Sequence, residues 1–386
     1  FFTFDDFYND DCQFEKLLNQ TSEIVTSPGI SLRNKNLKKA LKRKIKVVSE
    51  IEFASKFITK PIIAITGTNG KTTTTLITYN LLKSAGFNIF LGGNIGTPLI
   101  NAVEKQEEYD YILLEVSSFQ LQFIDSSFKP FISAVLNISE NHLDHHLDIN
   151  EYIAAKKNIF KNQTLTDYLL IDDRKIKVTT TNLTKINPLK NKQIYLTDNN
   201  IIVEELKIKI RDLKLYGLHN IHNILFSLNI FKIIKKIQKQ QIHKLKNFTP
   251  PLHRLEKLRT KKIIFNDSKS TSPHATEMAI NSFKNRIVLI MGGKDKNLDY
   301  SSLHKSLRKK VKFLILFGEN KFQLAKIFND MKVYLAPDLF LSVKKAINMT
   351  KANDILLFSP GTSSFDQFKS FEERGEKFKK YVKQLS

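Results

Sequence analysis

Ile62-Ile63-Ala64-Ile65-Thr66-Gly67-Thr68-Asn69-Gly70-Lys71-Thr72 is the stretch on which the fold turns. Four apolar residues in a row read as a short strand covered on both faces, the habit of a parallel sheet. A Gly-rich turn follows, then a helix-compatible run through Ser84. Strand, Gly-rich turn, Lys-Thr and helix is a phosphate-binding arrangement. Glycines let backbone N–H groups crowd the phosphates, the helix N-terminus favours anions, the lysine reaches the terminal phosphates and the threonine hydroxyl ligates magnesium. The spacing departs from the usual P-loop, because Gly67 stands three residues before Gly70 where five is the rule. A glycine turn that merely caps a helix is the plainer reading, and Lys-Thr at the helix start of a βα unit argues against it.

A magnesium held by one hydroxyl needs carboxylate help. Tyr111-Ile112-Leu113-Leu114-Glu115 reads as a second apolar strand with an acid at its C-terminal end, where open α/β sheets bind ligands. Taken alone, Glu115 is equally a solvated strand end. A third strand, 131–137, runs into Asn137-Ile138-Ser139-Glu140-Asn141-His142-Leu143-Asp144-His145-His146. Three histidines and two acids suggest a metal or a polar surface loop, and zinc is one candidate. The third strand end brings His142 to the same sheet edge as Lys71 and Glu115, which favours the metal.

The chain of 386 residues, 41% hydrophobic and 10% aromatic, is long enough for roughly two or three cores. One cysteine, Cys12, excludes an intramolecular disulfide and a Cys-based zinc cluster and fits a reducing, cytoplasmic setting. No apolar run approaches the roughly 18 to 20 residues of a membrane span, and no signal-peptide order is seen at the start. The net charge of +23 invites a nucleic-acid reading. Lysines are scattered through nearly every segment, however, so the charge is a chain-wide bias, suited to attracting an anionic substrate and not to binding nucleic acid.

Residues 1 to about 58 read as the back part of a small α/β unit. Its pieces are a strand at Phe1-Phe2-Thr3-Phe4, a strand and turn at Ile24-Val25-Thr26-Ser27-Pro28-Gly29, and a basic helix near 36–44. The opening inside an apolar stretch, without Met, suggests that preceding residues are missing. A helix is expected near 150–161, short antiparallel strands across the lysine-rich 170–216, and a helix over 220–237 with Ile221, Ile224, Leu225, Leu228, Phe231 and Ile234 on one face. Pro250-Pro251 reads as a linker. Beyond it, strands near 262–266, 287–291, 312–317 and 354–358 alternate with helices as a second doubly wound sheet.

These pieces in this order resemble the Mur ligase family, bacterial enzymes that add amino acids to the UDP-muramic acid precursor of peptidoglycan. ITGTNGKTTTT at 65–75 is similar to the family's ATP loop. LGGNIG at 91–96, LLEVSSFQL at 113–121, NISENHLDHH at 137–146, YIAAKKNIF at 152–160 and GLHNIHNI at 217–224 extend the match. PLHRLE at 251–256, FNDSKST at 265–271, MGGKDK at 291–296 and SPGTSSFDQFKSFEERGEKF at 359–378 carry it to the end. The ATP loop is shared across the family, whereas SSFQL and SFDQFKSFEERG resemble the branch that joins D-glutamate to UDP-N-acetylmuramoyl-L-alanine.

The resemblance implies an α/β fold of three domains. They are a truncated N-terminal Rossmann-like, UDP-binding domain at 1–58 without its first βα unit, a central P-loop-type parallel-sheet ATPase domain at 59–249, and a C-terminal Rossmann-like, amino-acid-binding domain at 250–386. It implies an ATP-dependent ligase working through an acyl phosphate, a monomer without nucleic-acid partner. ATP would lie on Gly67, Thr68, Asn69, Gly70, Lys71, Thr72 and Thr73, with Asn220, Asn223 and Arg254 at the nucleotide and Asp267 and Lys269 closing over the phosphates. Two magnesium ions would be held by Thr72, Glu115, His142 and Lys156, the last as a carbamate. Periodicity alone does not choose between Lys156 and Lys157. Lys71, Glu115, His142 and Lys156 would be the catalytic set, His142 as a ligand or organiser. Thr271, Lys296, Ser364, Phe365 and Phe371 match the D-glutamate pocket, and a lysine with hydroxyls suits a dicarboxylate. Asn94, Ser117 and Gln120 map to the muramoyl-peptide end, Ser27, Pro28 and Gly29 to the uridine diphosphate, and Asp5 and Asp6 near its uracil edge. The missing βα unit implies weak activity for this exact length of chain. His145 and His146 receive no role. Another amide ligase of the superfamily, the diamino-acid-adding enzyme or folylpolyglutamate synthase, and a P-loop ATPase acting on nucleic acid are the competing readings.

Overall fold

The computed structural model describes residues 11–27, 30, 34–139, 146, 148–172, 176, 178, 183–295 and 298–385. The strand expected at Phe1-Phe2-Thr3-Phe4, with Asp5 and Asp6, lies outside them. Two compact units divide the chain. Unit 1 takes Phe1–Ile208 and Asn223–Leu245, and unit 2 takes Lys209–His222 and Lys246–Ser386. Among the described residues no helix is long and apolar enough to cross a membrane.

In unit 1 the helix Asp11–Leu18 leads into a parallel pair, β1 (Glu23–Thr26) and β2 (Lys46–Ser49). The helix Lys35–Lys42 between them starts where the Asn34 side chain accepts from the Asn36 and Leu37 amides, and it buries Asn36, Leu37 and Ala40. Ser49 ends β2 and caps the next helix, Glu50–Ser55. Glu52 on that helix is fully buried, and its carboxylate accepts from the amides of Ser126, Ser127 and Phe128 at 2.8 to 3.0 Å. That contact ties the opening segment to the sheet that follows.

The main sheet of unit 1 has six parallel strands: β3 (Ile62–Thr66), β4 (Ile89–Gly93), β5 (Tyr111–Glu115), β6 (Ile132–Val135), β7 (Tyr168–Ile171) and β8 (Thr184–Ile186). Their order is β4-β5-β3-β6-β7-β8. β3 and β6 are buried at every residue, so both are apolar but for Thr66 and Ser133, whose hydroxyls donate to Val116 O and Gln163 Oε1 at 2.7 Å. From β3 the chain crosses to β4 on one side, and from β6 to β7 on the other. The crevice of a doubly wound sheet therefore opens between the C-terminal ends of β3 and β6. The expected antiparallel run across 170–216 needs correction: β8 joins this sheet in parallel register with β7. Among the described residues of that run, β9 (Ile194–Leu196), β10 (Asn200–Val203) and β11 (Leu206–Lys209) form a separate small sheet, with β9 and β10 antiparallel. The helix Leu218–Ile234 covers the expected apolar face, burying Ile224, Leu225, Leu228 and Phe231.

Unit 2 is built on β12 (Glu256–Lys257), β13 (Ile263–Asn266), β14 (Ile287–Gly292), β15 (Val311–Phe317), β16 (Val333–Leu335) and β17 (Ile355–Phe358), in the order β12-β13-β17-β14-β15-β16. Only the edge strand β12 is antiparallel. Successive residues of β14 feed opposite cores: Ile287, Leu289 and Met291 one side, Val288 and Ile290 the other. A strand sandwiched between two helical layers has no polar face, so its sequence is apolar throughout.

Candidate active site

The loop after β3 is pinned to the segment after β6. Thr68 N donates to Asn137 O at 2.9 Å, Asn69 N to Asn137 Oδ1 at 2.9 Å, and Asn137 Nδ2 returns a bond to Asn69 O at 2.8 Å. Ser139 N donates to Thr68 Oγ1 at 3.0 Å. Gly70, at φ +84°, caps the helix Lys71–Ser84, and a Cβ there would stand 2.3 Å from Asn223 Oδ1. The sharp turn and the close asparagine both require glycine. Lys71 Nζ donates to Gly67 O at 2.9 Å and Thr68 O at 3.1 Å, so the ammonium lies across the loop it would share with a phosphate. Thr72 and the buried Thr73 occupy the first helical turn, beneath the orphan amides that make it an anion site.

Glu115 ends β5 opposite Gly93 of β4 and is 2% exposed. Asn94 Nδ2 donates to its Oε1 at 2.7 Å, while its Oε2 is buried with no hydrogen-bond partner among the described residues. Lys156, on the helix Ile149–Lys157, is 1% exposed, and its Nζ donates to Thr66 Oγ1 at 3.2 Å and Gly67 O at 3.1 Å. Burial foremost, then repulsion by Lys71, pushes this amine well below the ordinary lysine range, while Glu115 pulls the other way. A lysine so placed has a neutral, nucleophilic form within reach. Burial thus separates Lys156 from its half-buried neighbour Lys157. Tyr152 lies beneath the ammonium, 4.8 Å from ring centre to Nζ, and shares a 2.9 Å hydrogen bond with Thr68 Oγ1. Burial pushes the Tyr152 hydroxyl up to about 12.

A hydroxyl and an unsatisfied buried carboxylate oxygen beside a phosphate loop are the donors a hard divalent cation prefers, so the residues fit magnesium. No cluster of three or more His, Cys, Asp or Glu side chains is arranged to hold a metal among the described residues, and His142 lies outside them. Ser117 and Gln120 form a closed capping box on the short helix Ser118–Leu121, immediately beyond β5. Asn94 and Ser27 are exposed; Pro28 and Gly29 lie outside the described residues.

In unit 2 the loops after β13, β14, β15 and β17 meet. Gly361 N donates to Ser270 O, Lys294 N to Ser363 O and Asn320 N to Gly293 O, at 3.0 to 3.1 Å. Asp267, at the end of β13, accepts from Leu255 N, Ser270 Oγ and Ser359 Oγ. Its burial pushes the carboxyl up to about 6. Arg254 stands between His253 and Leu255, both at positive φ. Lys269 Nζ lies 3.7 Å from the centre of the Phe371 ring. Ser364 is buried, Thr271 and Phe365 are exposed, and Lys296 lies outside the described residues. Asn220 belongs to this unit and donates to Tyr216 O at 2.8 Å.

Two residues escaped the sequence reading. Arg374 is fully buried and donates to Ser268 Oγ, Ser268 O and Thr362 O, joining the β13 and β17 loops. Burial presses the guanidinium down to about 9, against the pull of Asp366. The His253 ring pairs with Asn266 Nδ2 at 2.9 Å against Gly375, where a Cβ would meet it at 2.2 Å. An arginine in a lysine-rich tail and a histidine beside a proline pair carry no periodic signal of burial.

Residues 65–231 match the Mur ligase middle domain, and residues 253–361 match the Mur ligase glutamate ligase domain. A UDP-N-acetylmuramoylalanine–D-glutamate ligase of Citrifermentans bemidjiense is 38% identical over 376 residues, spanning 93% of this chain and 83% of that protein. The chain belongs to the Mur ligase family. A second relative of this Mur ligase, the UDP-N-acetylmuramoylalanine–D-glutamate ligase of Aquifex aeolicus, is 37% identical over 391 residues, 98% of this chain and 93% of its own. Among solved structures, a MurF ligase from Thermotoga maritima in complex with ADP superposes at TM-score 0.66 and 15% identity, covering 96% of this Mur ligase and 99% of that chain. A pseudomurein peptide ligase type C from Methanothermus fervidus gives TM-score 0.66 at 18% identity, over 96% and 88%. At such identity the likeness speaks for the α/β Mur ligase fold.

Proposed function

We propose that this Mur ligase joins D-glutamate to UDP-N-acetylmuramoyl-L-alanine at the expense of ATP, in the cytoplasmic steps of peptidoglycan precursor synthesis. The observation that carries this reading is the identity of 37 to 38% with D-glutamate ligases over 93 to 98% of the chain. The meeting of Lys71, Glu115 and Lys156 around one phosphate loop supports it.

In this reading the alanine carboxylate attacks the γ-phosphorus of ATP, the bond to the ADP oxygen breaks, and an acyl phosphate forms. The D-glutamate amine then attacks the acyl carbon, the bond to phosphate breaks, and a proton leaves the amine for solvent. Gly67, Thr68, Asn69, Gly70 and Thr73 present backbone and hydroxyl donors to the phosphates, and Lys71 leaves its loop carbonyls to neutralise the transferring group. Thr72, Glu115, His142 and Lys156, the lysine as a carbamate, would hold two magnesium ions. Bound there, magnesium neutralises phosphate oxygens that otherwise repel the attacking carboxylate. Asn220, Asn223 and Arg254 would serve the nucleotide, and Asp267 and Lys269 the phosphates. Thr271, Lys296, Ser364, Phe365 and Phe371 would receive D-glutamate, while Asn94, Ser117, Gln120 and the 27–29 turn would hold the UDP-muramoyl acceptor. Three domains, at 1–58, 59–249 and 250–386, the first of them Rossmann-like, divide these tasks.

The segment 359–375 favours D-glutamate over the diamino acids and folate of the sister ligases. The test is phosphate release with ATP, UDP-N-acetylmuramoyl-L-alanine and each candidate amino acid. Release that depends on D-glutamate is expected; equal turnover with lysine or diaminopimelate, or stimulation by nucleic acid alone, overturns the reading.

A further inference from the structure

His146 closes the motif that named the metal loop, yet it faces away from solvent entirely and the proposed chemistry does not use it. Its ring is stacked on Phe119, with centroids 5.7 Å apart, and meets Tyr152 edge-on at 5.4 Å. Its Nε2 shares a 3.0 Å hydrogen bond with Ser118 Oγ, and its Nδ1 lies 3.6 Å from Glu151 Oε1. The same Glu151 oxygen accepts from Gln122 Nε2 at 2.8 Å. Ser118 and Gln122 bracket the four-residue helix Ser118–Leu121, while Glu151 and Tyr152 sit on the helix that carries Lys156. Tyr152 continues the connection to Thr68 of the phosphate loop at 2.9 Å.

A helix of one turn does not hold itself together, because nucleation costs more than its few hydrogen bonds return. The Ser117–Gln120 capping box supplies one constraint from within. From outside, Gln122 Nε2 on Glu151 and Asn158 Nδ2 on Leu121 O, at 2.8 and 2.9 Å, hold the C-terminal end of the turn, and the imidazole holds its N-terminal end at Ser118, beside the capping box. We infer that His146 is a positioning residue which holds the N-terminal end of the Ser117–Gln120 turn in place, so that the turn is preformed to bind the acceptor substrate. The inference rests on the functional reading above in assigning that turn to the UDP-muramoyl acceptor. Whichever of Nε2 and the serine hydroxyl donates, removing either group breaks the bond.

The test compares the wild-type protein with His146→Phe, which keeps a buried aromatic ring, Ser118→Ala, which removes only the hydroxyl, and the double variant. Loss of one buried hydrogen bond that orders a binding turn should raise KM for UDP-N-acetylmuramoyl-L-alanine by about three- to tenfold. KM for ATP and kcat should stay within about twofold, and the double variant should match the worse single one, since both break the same link. Ser118→Ala keeps the test valid if His146→Phe folds poorly. Unchanged acceptor KM in Ser118→Ala, additive effects, or equal rises in both KM values overturn the proposal. Calorimetric Kd for the acceptor nucleotide reads the same comparison without turnover. A wild type indifferent to D-glutamate would sink the functional reading, whereas a D-glutamate-dependent wild type with a flat acceptor series would sink only this one.

Discussion

Lys156 and Asp267 show how burial converts an ordinary side chain into a chemical one. The sequence marks a lysine pair at 156 and 157 and offers no periodic reason to prefer either; the resemblance to the family chose the first, and in the fold the first is enclosed. Asp267 was legible only as an acid in a matched segment, while its buried setting supplies the carboxyl that holds a proton up to about pH 6 against 3.8 for the free group. Between those values the folded state binds more protons than the unfolded one. Stability from this group is therefore fully present below about pH 4 and is lost as pH rises through 6. Asp267→Asn removes the titration, so its stability relative to wild type should improve by roughly 2 to 3 kcal/mol between pH 4 and pH 7. Denaturant midpoints at the two pH values measure this, and a difference that does not change with pH refutes it.

At the scale of elements, turn chemistry and hydrophobic period located β3, β5, β6, β13, β14, β15 and β17 to within two residues. β3, β5, β14 and β17 were plain because strands covered on two faces are apolar along most of their length. β4 and β16 were not read as strands: one is broken by glycines and the other holds three residues at the sheet edge. β8 was assigned to an antiparallel run because short edge strands lack a burial signature that tells their partner. The helix Glu50–Ser55 owes its place to a contact no local pattern encodes, Glu52 bonding three amides more than seventy residues away. Glu52→Ala leaves those amides without an acceptor and should cost roughly 2 to 4 kcal/mol, and Glu52→Gln, which keeps one acceptor oxygen, about half of that. Chemical unfolding of the full protein checks the pair; an Ala variant as stable as wild type would remove Glu52 from the account.

For the molecule as a whole, the net charge of +23 acts on association and not on the choice of fold. An anionic nucleotide acceptor should feel it at a distance. Raising salt from about 50 to about 500 mM shortens the Debye length from over 10 Å to under 5 Å and should raise the acceptor KM severalfold with kcat little changed. Salt-insensitive KM would mean that the scattered lysines make no useful field at the site.

Read alone, the sequence determined that two parallel α/β sheets are present, that one ends in a phosphate loop, and which branch of a ligase family it resembles. Those properties live in local runs: apolar strands, a Gly-Lys-Thr turn, contiguous motifs. Only the tertiary structure decided that Glu115 and Lys156 close on that loop, that Arg374 is buried beneath the rim of the second sheet, and that His146 holds the Ser118 turn. Each depends on segments far apart in the chain, and burial and the hydrogen bonds that compensate it arise only when those segments meet.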